Sequence, residues 1–261
     1  MKLNPLEVGF ASERLIHEVS RDLRETTDYI VISDAGNPGF HYGNYIQLKE
    51  HFAPDTKELE GIYRRELPHI VDKYVFTANA DIQQDNIRES GLLGGLVASG
   101  YSVDAAFCLT ATTAVPQHII NGYIIRPIVS DKDWMQATDN QLLCRDYMGS
   151  GEFIIRRMAT ACKIISQKHG VWLGAFDGDR LIADLGLFWN RQKSLARFQM
   201  VGTHPDYRQQ GIARQLIERA VEDYQSPGLI FVIMASGRPQ KIYEKCGFRP
   251  ISSHVGFIKH I

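Results

Sequence analysis

Residues 208–214 read R-Q-Q-G-I-A-R and place one glycine among polar and basic side chains, directly before a helical pattern. The preceding residues include Phe198, Met200 and Val201 and are typical of a strand. After the glycine, apolar residues recur at steps of three and four, which predicts an amphipathic helix over 212–224. A glycine turn between a strand and a helix points unpaired backbone N–H groups and the positive helix end at one spot. Such a spot suits a phosphate or pyrophosphate group.

This loop resembles a motif of the GNAT superfamily of N-acyltransferases, whose acyl-CoA pyrophosphate loop has the usual form Q/R-x-x-G-x-G/A. The residues Arg208 to Ala213 read R-x-x-G-x-A. The lead-in V-G-T-H-P at 201–205 is similar to the family's L-x-V-x-P. Further on, I-Y-E-K-C-G-F at 242–248 resembles the family's L-Y-x-x-x-G-F, with Tyr243 in register. The three motifs follow in the family's order, so the C-terminal half is identified as GNAT-like.

The resemblance implies a set of site residues. Acetyl-CoA would be the co-substrate, and its pyrophosphate would be held by backbone N–H groups of Gln209, Gln210, Gly211, Ile212 and Ala213. Arg208 and Arg214 would lie beside the phosphates. The backbone of Val201, Gly202 and Thr203 would face the pantetheine arm and polarise the thioester carbonyl, at a splay between the fourth and fifth strands. Tyr243 would give a proton to the departing thiolate.

The base for the acceptor amine is less evident. Many GNAT proteins carry a carboxylate on the fourth strand, but A-R-F-Q-M-V-G-T at 196–203 has Arg197 and Gln199 instead. Asp184, on the third predicted strand, is the nearest acidic candidate, and an aspartate among apolar strand residues is unusual. Two interpretations stay open for it: a structural partner of an arginine, or a catalytic role toward the amine. The second motif also departs from the family's N-x-x-A, because Ser236 and Pro239 stand at those positions.

The elements around these motifs predict one complete domain over 117–261, in the order β-α-α-β-β-β-α-β-α-β. A helix should be opened by Asp131 or Asp133, and a second helix over 151–168 should be stopped by Gly170. The turn Asp177-Gly178-Asp179 predicts a hairpin. This order is the one expected for a GNAT domain.

The N-terminal half, 1–116, predicts a degenerate copy of the same fold. Helices are expected over 12–24, over 56–67 with an Asp55–Glu58 capping box, and over 82–98, with strands at 41–48 and 73–78. Residues 99–111 and 246–258 share one sequence pattern: a small residue, a glycine and an aromatic residue, followed by a predicted strand. Such a pattern between a helix and a strand can also arise independently. The half has no R-x-x-G-x-A loop, and Leu96 takes the place of Tyr243. The predicted fold class is therefore α/β (α+β), a mixed twisted sheet flanked by helices in two tandem GNAT-like lobes.

The composition and charge distribution of the chain argue against several classes of protein. Hydrophobic residues make up 44% and charged residues 23%, as in folded proteins. The N-terminus lacks an export signal, and the uncharged stretch 105–125 contains Pro116 and several polar residues, so neither export nor a membrane span is predicted. The four cysteines form no metal or disulfide pattern, so a cytoplasmic protein without a metal is expected. Residues 1–116 carry a net charge of −7 and residues 117–261 one of +6, which suits a polyanionic cofactor in the second half. No dense Lys/Arg run indicates nucleic acid.

The sequence thus predicts an N-acetyltransferase that moves an acetyl group from acetyl-CoA to a primary amine, on a small molecule or a peptide, by direct attack. The alternative is a non-catalytic CoA- or acyl-CoA-binding regulatory or sensor protein. The N-terminal half is expected to wall the acceptor cleft, and its acidic balance favours a cationic acceptor. Neither the acceptor nor the oligomeric state follows from the sequence.

Overall fold

The computed structural model describes residues 5–20, 22–79, 91–113, 122–145, 151–190 and 194–261. The described elements of the N-terminal half are α1 (Pro5–Ser20), β1 (Leu23–Glu25), β2 (Tyr29–Ser33), β3 (Asn44–Leu48), α2 (Thr56–Glu66), β4 (Lys73–Asn79), α3 (Gly91–Ala98) and β5 (Ser102–Ala111). Those of the C-terminal half are β6 (Ile124–Pro127), α4 (Asp131–Cys144), α5 (Glu152–Ser166), β7 (Gly170–Asp177), β8 (Arg180–Asn190), β9 (Leu195–Thr203), α6 (Ile212–Tyr224), β10 (Ile230–Ala235), α7 (Gly237–Lys245) and β11 (Arg249–His260). The order predicted for the second half is confirmed.

The strands form one mixed sheet in the order β1-β2-β3-β4-β11-β5-β10-β9-β8-β7-β6. Two neighbouring pairs are parallel, β3 with β4 and β9 with β10, and the other pairs are antiparallel. The predicted fold class, a mixed sheet flanked by helices, is confirmed.

The two halves repeat one connection and exchange their last strands. Each runs strand, helix, parallel strand, helix, strand: β3-α2-β4-α3-β5 and then β9-α6-β10-α7-β11. Strand β5 lies between β10 and β11, and β11 lies between β4 and β5. This repeat is what a tandem arrangement requires. The proposed boundary between residues 116 and 117 falls outside the described residues and stays a prediction.

Helix α1 carries residues of the first half onto strands of the second. It contacts β9, β10 and β11, and Val8, Ala11 and Leu15 share a buried cluster with Met158 of α5 and Trp172 of β7. Burying these side chains removes apolar surface from water and fixes the helix on the sheet. The same helix brings Glu13 next to Arg197 of β9.

Local signals were confirmed where they depend on neighbouring residues. Asp55 Oδ1 accepts a hydrogen bond from the Glu58 backbone N–H at 2.8 Å at the start of α2, so the cap is confirmed, whereas the described residues show no return bond from the Glu58 side chain that would complete a capping box. Gly178, with φ +56°, lies in the turn that joins β7 and β8. Among the described residues, no helix is long and apolar enough to cross a membrane.

Several predicted boundaries were wrong. Helix α1 begins at Pro5 and ends at Ser20 rather than covering 12–24; it includes Gly9, where a Cβ would lie 2.0 Å from His254 Nε2. This contact explains a glycine that weakens the local helical signal. Of the helix expected over 82–98, the structure describes Gly91–Ala98, and the remainder lies outside the described residues.

Two helix ends of the second half also differ from the prediction. Helix α4 is capped by Ser130, whose side chain accepts from the Asp133 N–H at 3.1 Å, so Asp133 is the third helical residue rather than the cap. Helix α5 ends at Ser166, and Lys168 adopts the left-handed conformation with φ +65°. Gly170 begins β7 instead of stopping the helix.

Candidate functional site

The parallel strands β9 and β10 separate along their length. They pair only where Leu195–Arg197 face Ile230–Val232, although β9 continues to Thr203 and β10 to Ala235. Beyond Arg197, the edge of β9 that faces β10 has lost its strand partner. Its backbone N–H and C=O groups there must bond to something else or to a ligand. The splay expected between the fourth and fifth strands of the domain is present.

A β-bulge shapes β9 at the splay. Its register with β8 shifts between the pairs Asp184–Gly202 and Gly186–Gln199, so β9 has one extra residue. Met200 within the bulge has φ +53°, which is rare for a residue with a side chain. The amide Nε2 of Gln141 donates to the Met200 carbonyl oxygen at 2.6 Å and holds this conformation.

Asp184 supports the bulge from behind. Its side chain is fully buried, and its carboxylate accepts hydrogen bonds from Asn140, Gln141 and Trp172. The distance from Gln141 Nε2 to Asp184 Oδ2 is 2.8 Å, so the carboxylate orients the same amide that holds the Met200 carbonyl. Burial raises the pKa of Asp184 to about 6, against the lowering effect of the three donors.

The structure therefore gives Asp184 different neighbours from those anticipated. The direct partners of its carboxylate are two amides and an indole, not an arginine. It is absent from the residues that line the two cleft cavities described below. Its position favours holding the bulge over contact with an amine, and the direct base role stays a prediction.

The loop after β9 has the backbone geometry that an anion site needs. Gln209 and Gly211 have φ values of +66° and +81°. The first bond of α6 runs from the Gln215 N–H to the Gly211 carbonyl at 3.0 Å, so the N–H groups from Gly211 to Arg214 have no partner within the helix. Gly211 provides no side-chain cap. These donors converge at the positive end of the helix.

The two arginines beside this loop, Arg208 and Arg214, contribute unequally to its positive charge. Arg208 is exposed and donates through Nε to the Thr203 carbonyl at 3.3 Å. Arg214 donates through Nε to the buried Glu218 at 2.7 Å, so its charge is already partly neutralised. Tyr123 from the start of the domain fixes the loop, because its hydroxyl donates to Gln210 Oε1 at 3.0 Å. The cofactor residues predicted from the sequence thus lie together at one end of β9.

Tyr243 lies on α7, where only 7% of its surface is exposed. Its ring packs edge-on against Phe248, with 6.1 Å between ring centroids. Burial raises the pKa of the phenol above its ordinary value, so the group carries its proton at neutral pH. A proton donor and a core tyrosine would both look like this, and the predicted role awaits a test.

A cleft between the two halves opens at the splay. It consists of two adjoining cavities that share Glu13, Phe40, Tyr42, Arg157 and Gln199. The first cavity reaches Met200 at the bulge, and the second reaches Met234 of β10 on the other side of the splay. The N-terminal half supplies a wall of this cleft through α1 and the residues around Phe40 and Tyr42.

Sequence reasoning missed Glu13 and Arg157 because no local pattern marks either. Glu13 comes from α1 and pairs with Arg197 of β9, at 2.5 Å between Oε1 and Nη2. Although burial raises it, the pKa of Glu13 lies below its ordinary value because Arg197 and other nearby cations favour the ionised form. A carboxylate thus lies beside β9, although it comes from a helix far away in sequence.

Comparison with known proteins identifies a domain in this part of the chain. Residues 167–250 match a family model described as an acetyltransferase (GNAT) domain. The chain contains a GNAT domain. The match includes the β9 splay, the loop before α6 and Tyr243. Among curated protein sequences, no significant match is found.

Solved structures share the GNAT fold across most of the chain. A functionally unknown conserved protein from Staphylococcus epidermidis ATCC 12228 superposes with a TM-score of 0.67 at 12% identity, covering 91% of this chain and 93% of its own. A GCN5-related N-acetyltransferase from Kribbella flavida gives 0.63 at 12% identity, covering 97% and 95%. A tandem GNAT protein from the clavulanic acid biosynthesis pathway gives 0.54 at 14% identity, covering 83% and 75%. At these identities the likeness concerns the fold, which here is a GNAT arrangement present in tandem.

Proposed function

We propose that the protein is an acyl-CoA-dependent N-acyltransferase that moves an acetyl group from acetyl-CoA to a primary amine by direct attack. The observation that carries this proposal is the opening of β9 away from β10 immediately before a loop with unpaired N–H groups. An extended thioester needs both features: a gap in the sheet for its arm and an anion site for its phosphates.

The residues present fit acetyl-CoA. The N–H groups from Gln209 to Ala213 would bind the pyrophosphate, with Arg208 as the more exposed cation and Arg214 beside it. The backbone of Val201, Gly202 and Thr203 would line the arm. Gly202 also lets β9 pack closely on α4, since a Cβ there would lie 3.0 Å from Gln141 Nε2 and 3.1 Å from Cys144 Sγ. Bound acetyl-CoA would supply an activated acyl group.

The chain's own groups would then assist transfer. A backbone N–H at the bulge would stabilise negative charge on the thioester oxygen as the amine nitrogen bonds to the carbonyl carbon. Asp184 and Gln141 would hold that N–H in place. As the carbon–sulfur bond breaks, Tyr243 would give its proton to sulfur and regain one from solvent. Glu13, the carboxylate among the described residues that lines both cavities, would take up the amine's proton directly or through water.

The test measures binding and transfer separately. Calorimetry with CoA and acetyl-CoA reports the anion site, and thiol release in the presence of a panel of primary amines reports transfer. Amine-dependent thiol release supports the transferase. Binding of acetyl-CoA without amine-dependent release would support the sensor alternative, and failure to bind CoA would contradict both. We expect the activity in the cytoplasm, because all four cysteines are free.

A further inference from the structure

Two arginines line the cleft at the splay; Arg197 forms an ion pair, whereas Arg157 bonds to a neutral side chain. Arg197 is 5% exposed and pairs with Glu13. Arg157 of α5 donates from Nη2 to the neutral Gln199 Oε1 at 2.5 Å and stacks on Phe40, with 4.1 Å from the guanidinium carbon to the ring centroid. Among the described residues, no carboxylate oxygen lies within the 4.0 Å of an ion pair from Arg157.

Leaving a cation enclosed without a counter-ion costs free energy. Burial, followed by the nearby Arg145, lowers the pKa of Arg157 to about 9, against the raising effect of Glu13 and Asp34, so the side chain is still cationic at neutral pH. Its guanidinium offers five N–H donors in a planar fork that matches a carboxylate. The charge of Arg157, which no carboxylate of the described residues contacts directly, faces both cavities of the cleft, whose lining also contains Glu13, Asp22, Asp34 and Asp104.

The second cavity also contains buried polar atoms without partners. Arg197 Nε, His254 Nε2 and Thr77 Oγ1 make no hydrogen bond, and none of these three residues is more than 9% exposed. All three line this cavity. Buried polar groups are nearly always satisfied, and each orphan costs free energy. His254 Nε2 faces Gly9 of α1, where a Cβ would lie 2.0 Å away, so the orphans that suit a polar ligand are Arg197 Nε and Thr77 Oγ1.

We propose that the acceptor is an amine that also carries a carboxylate, and that Arg157 binds this carboxylate. The proposal rests on the proposed transferase function and names its substrate class. Gln199, the direct partner of Arg157, precedes the bulge residue Met200. A carboxylate on Arg157 therefore brings an amino group one or two carbon atoms away to the splay, as in an α- or β-amino acid. Glu13 in the same cleft offers the opposite charge for the ammonium group, and the orphan atoms suit polar parts of the same molecule.

The experiment compares α-amino acids with their own carboxamides, which keep the size and the amine but lose the negative charge. Two quantities are measured on the full chain: kcat/KM for acetyl transfer, and the shift in Tm that each compound causes without CoA. We expect the wild-type protein to prefer the acid by on the order of 10- to 100-fold, the range for a hydrogen bond to a charged group. The carboxamide's amine is the weaker base and more of it is unprotonated at neutral pH, which works against this preference.

The variant Arg157→Gln should abolish the preference for the acid, and Arg157→Lys should retain part of it. Arg156→Gln is the matched control, because Arg156 neighbours Arg157 on the same helix but points outward, where it pairs with Glu152 and donates to the Gly36 carbonyl. A Tm measurement of each variant separates loss of binding from loss of folding.

Each outcome decides one question. Equal use of acids and carboxamides would overturn the inference and leave the transferase proposal intact. An acid-dependent rise in Tm that Arg157→Gln removes, without any acetyl transfer, would support carboxylate binding by Arg157 and contradict the transferase, and with it the acceptor role of the bound acid. Absence of any acid-dependent effect on both rate and Tm would overturn the inference, whatever the result with CoA.

Discussion

Replacing Asp184 with asparagine tests whether this residue holds the bulge or acts on the substrate. In the folded protein the pKa of Asp184 is raised from 3.8 to about 6. A raised pKa means that the folded state binds this proton more tightly than the unfolded state. The contribution of Asp184 to the free energy of unfolding is therefore largest below pH 4 and falls as the pH rises toward 6. A shift of this size corresponds to about 3 kcal/mol.

Asparagine cannot ionise, so Asp184→Asn removes this pH dependence while other groups are unchanged. We expect the free energy of unfolding of the variant, relative to wild type, to rise by about 2 kcal/mol between pH 4 and pH 6.5, which is most of the full effect. A constant cost of about 1–3 kcal/mol is superimposed, because the amide brings a donor toward Asn140 and leaves one buried donor unmatched unless Asn140 turns its amide. Urea denaturation of both proteins at several pH values gives the difference. Parallel stability curves would refute the argument that burial dominates at Asp184.

Activity separates the two roles. If Asp184 positions Gln141, the variant keeps an oxygen for the Gln141 amide, and kcat should fall by less than about 10-fold, with kcat/KM keeping its pH profile. If Asp184 is the base, kcat should fall by about 10²- to 10⁴-fold and one limb of the pH profile should disappear. The second result would overturn the positioning role.

Three further predictions concern the cofactor loop, the proton donor and the exchanged strands. Gly211→Val should weaken CoA binding by at least about 10-fold in calorimetry. The control is Gly228→Val, which is remote from the loop and has nearly the same φ (+80° against +81°), so that it should share only the backbone strain of about 1–2 kcal/mol. Equal CoA affinities of the two variants would show that the anion site does not lie at this turn. Tyr243→Phe should lower kcat on the order of 10²-fold with CoA affinity and Tm nearly unchanged. An unaltered kcat would mean that Tyr243 only packs in the core. A fragment of residues 117–261 should show no cooperative thermal unfolding by circular dichroism, because it lacks β5, which separates β10 from β11; a cooperative transition with CoA binding would contradict this.

The sequence alone determined the features whose causes lie within a few residues. The Asp55 cap, the Gly178 turn and the glycine before α6 each follow from local backbone preferences. The order of elements over 117–261 follows from hydrophobic periodicity, and the family resemblance followed from motifs on neighbouring elements. The predicted cofactor residues form one continuous stretch, so their grouping did not depend on the rest of the fold.

Tertiary structure decided everything that joins distant segments. The exchange of β5 and β11 depends on which strand edges meet, and a sequence pattern marks a strand without naming its neighbour. The partners of Asp184 lie on α4 and β7, and the carboxylate opposite Arg197 comes from α1, 184 residues away. Arg157 looks like any helical arginine until the packing of α5 places it in the cleft, where no carboxylate of the described residues contacts it directly. Local sequence fixes what a side chain can do chemically, but burial and partner choice set its charge state and its access to substrate, and both arise only when the two halves pack together.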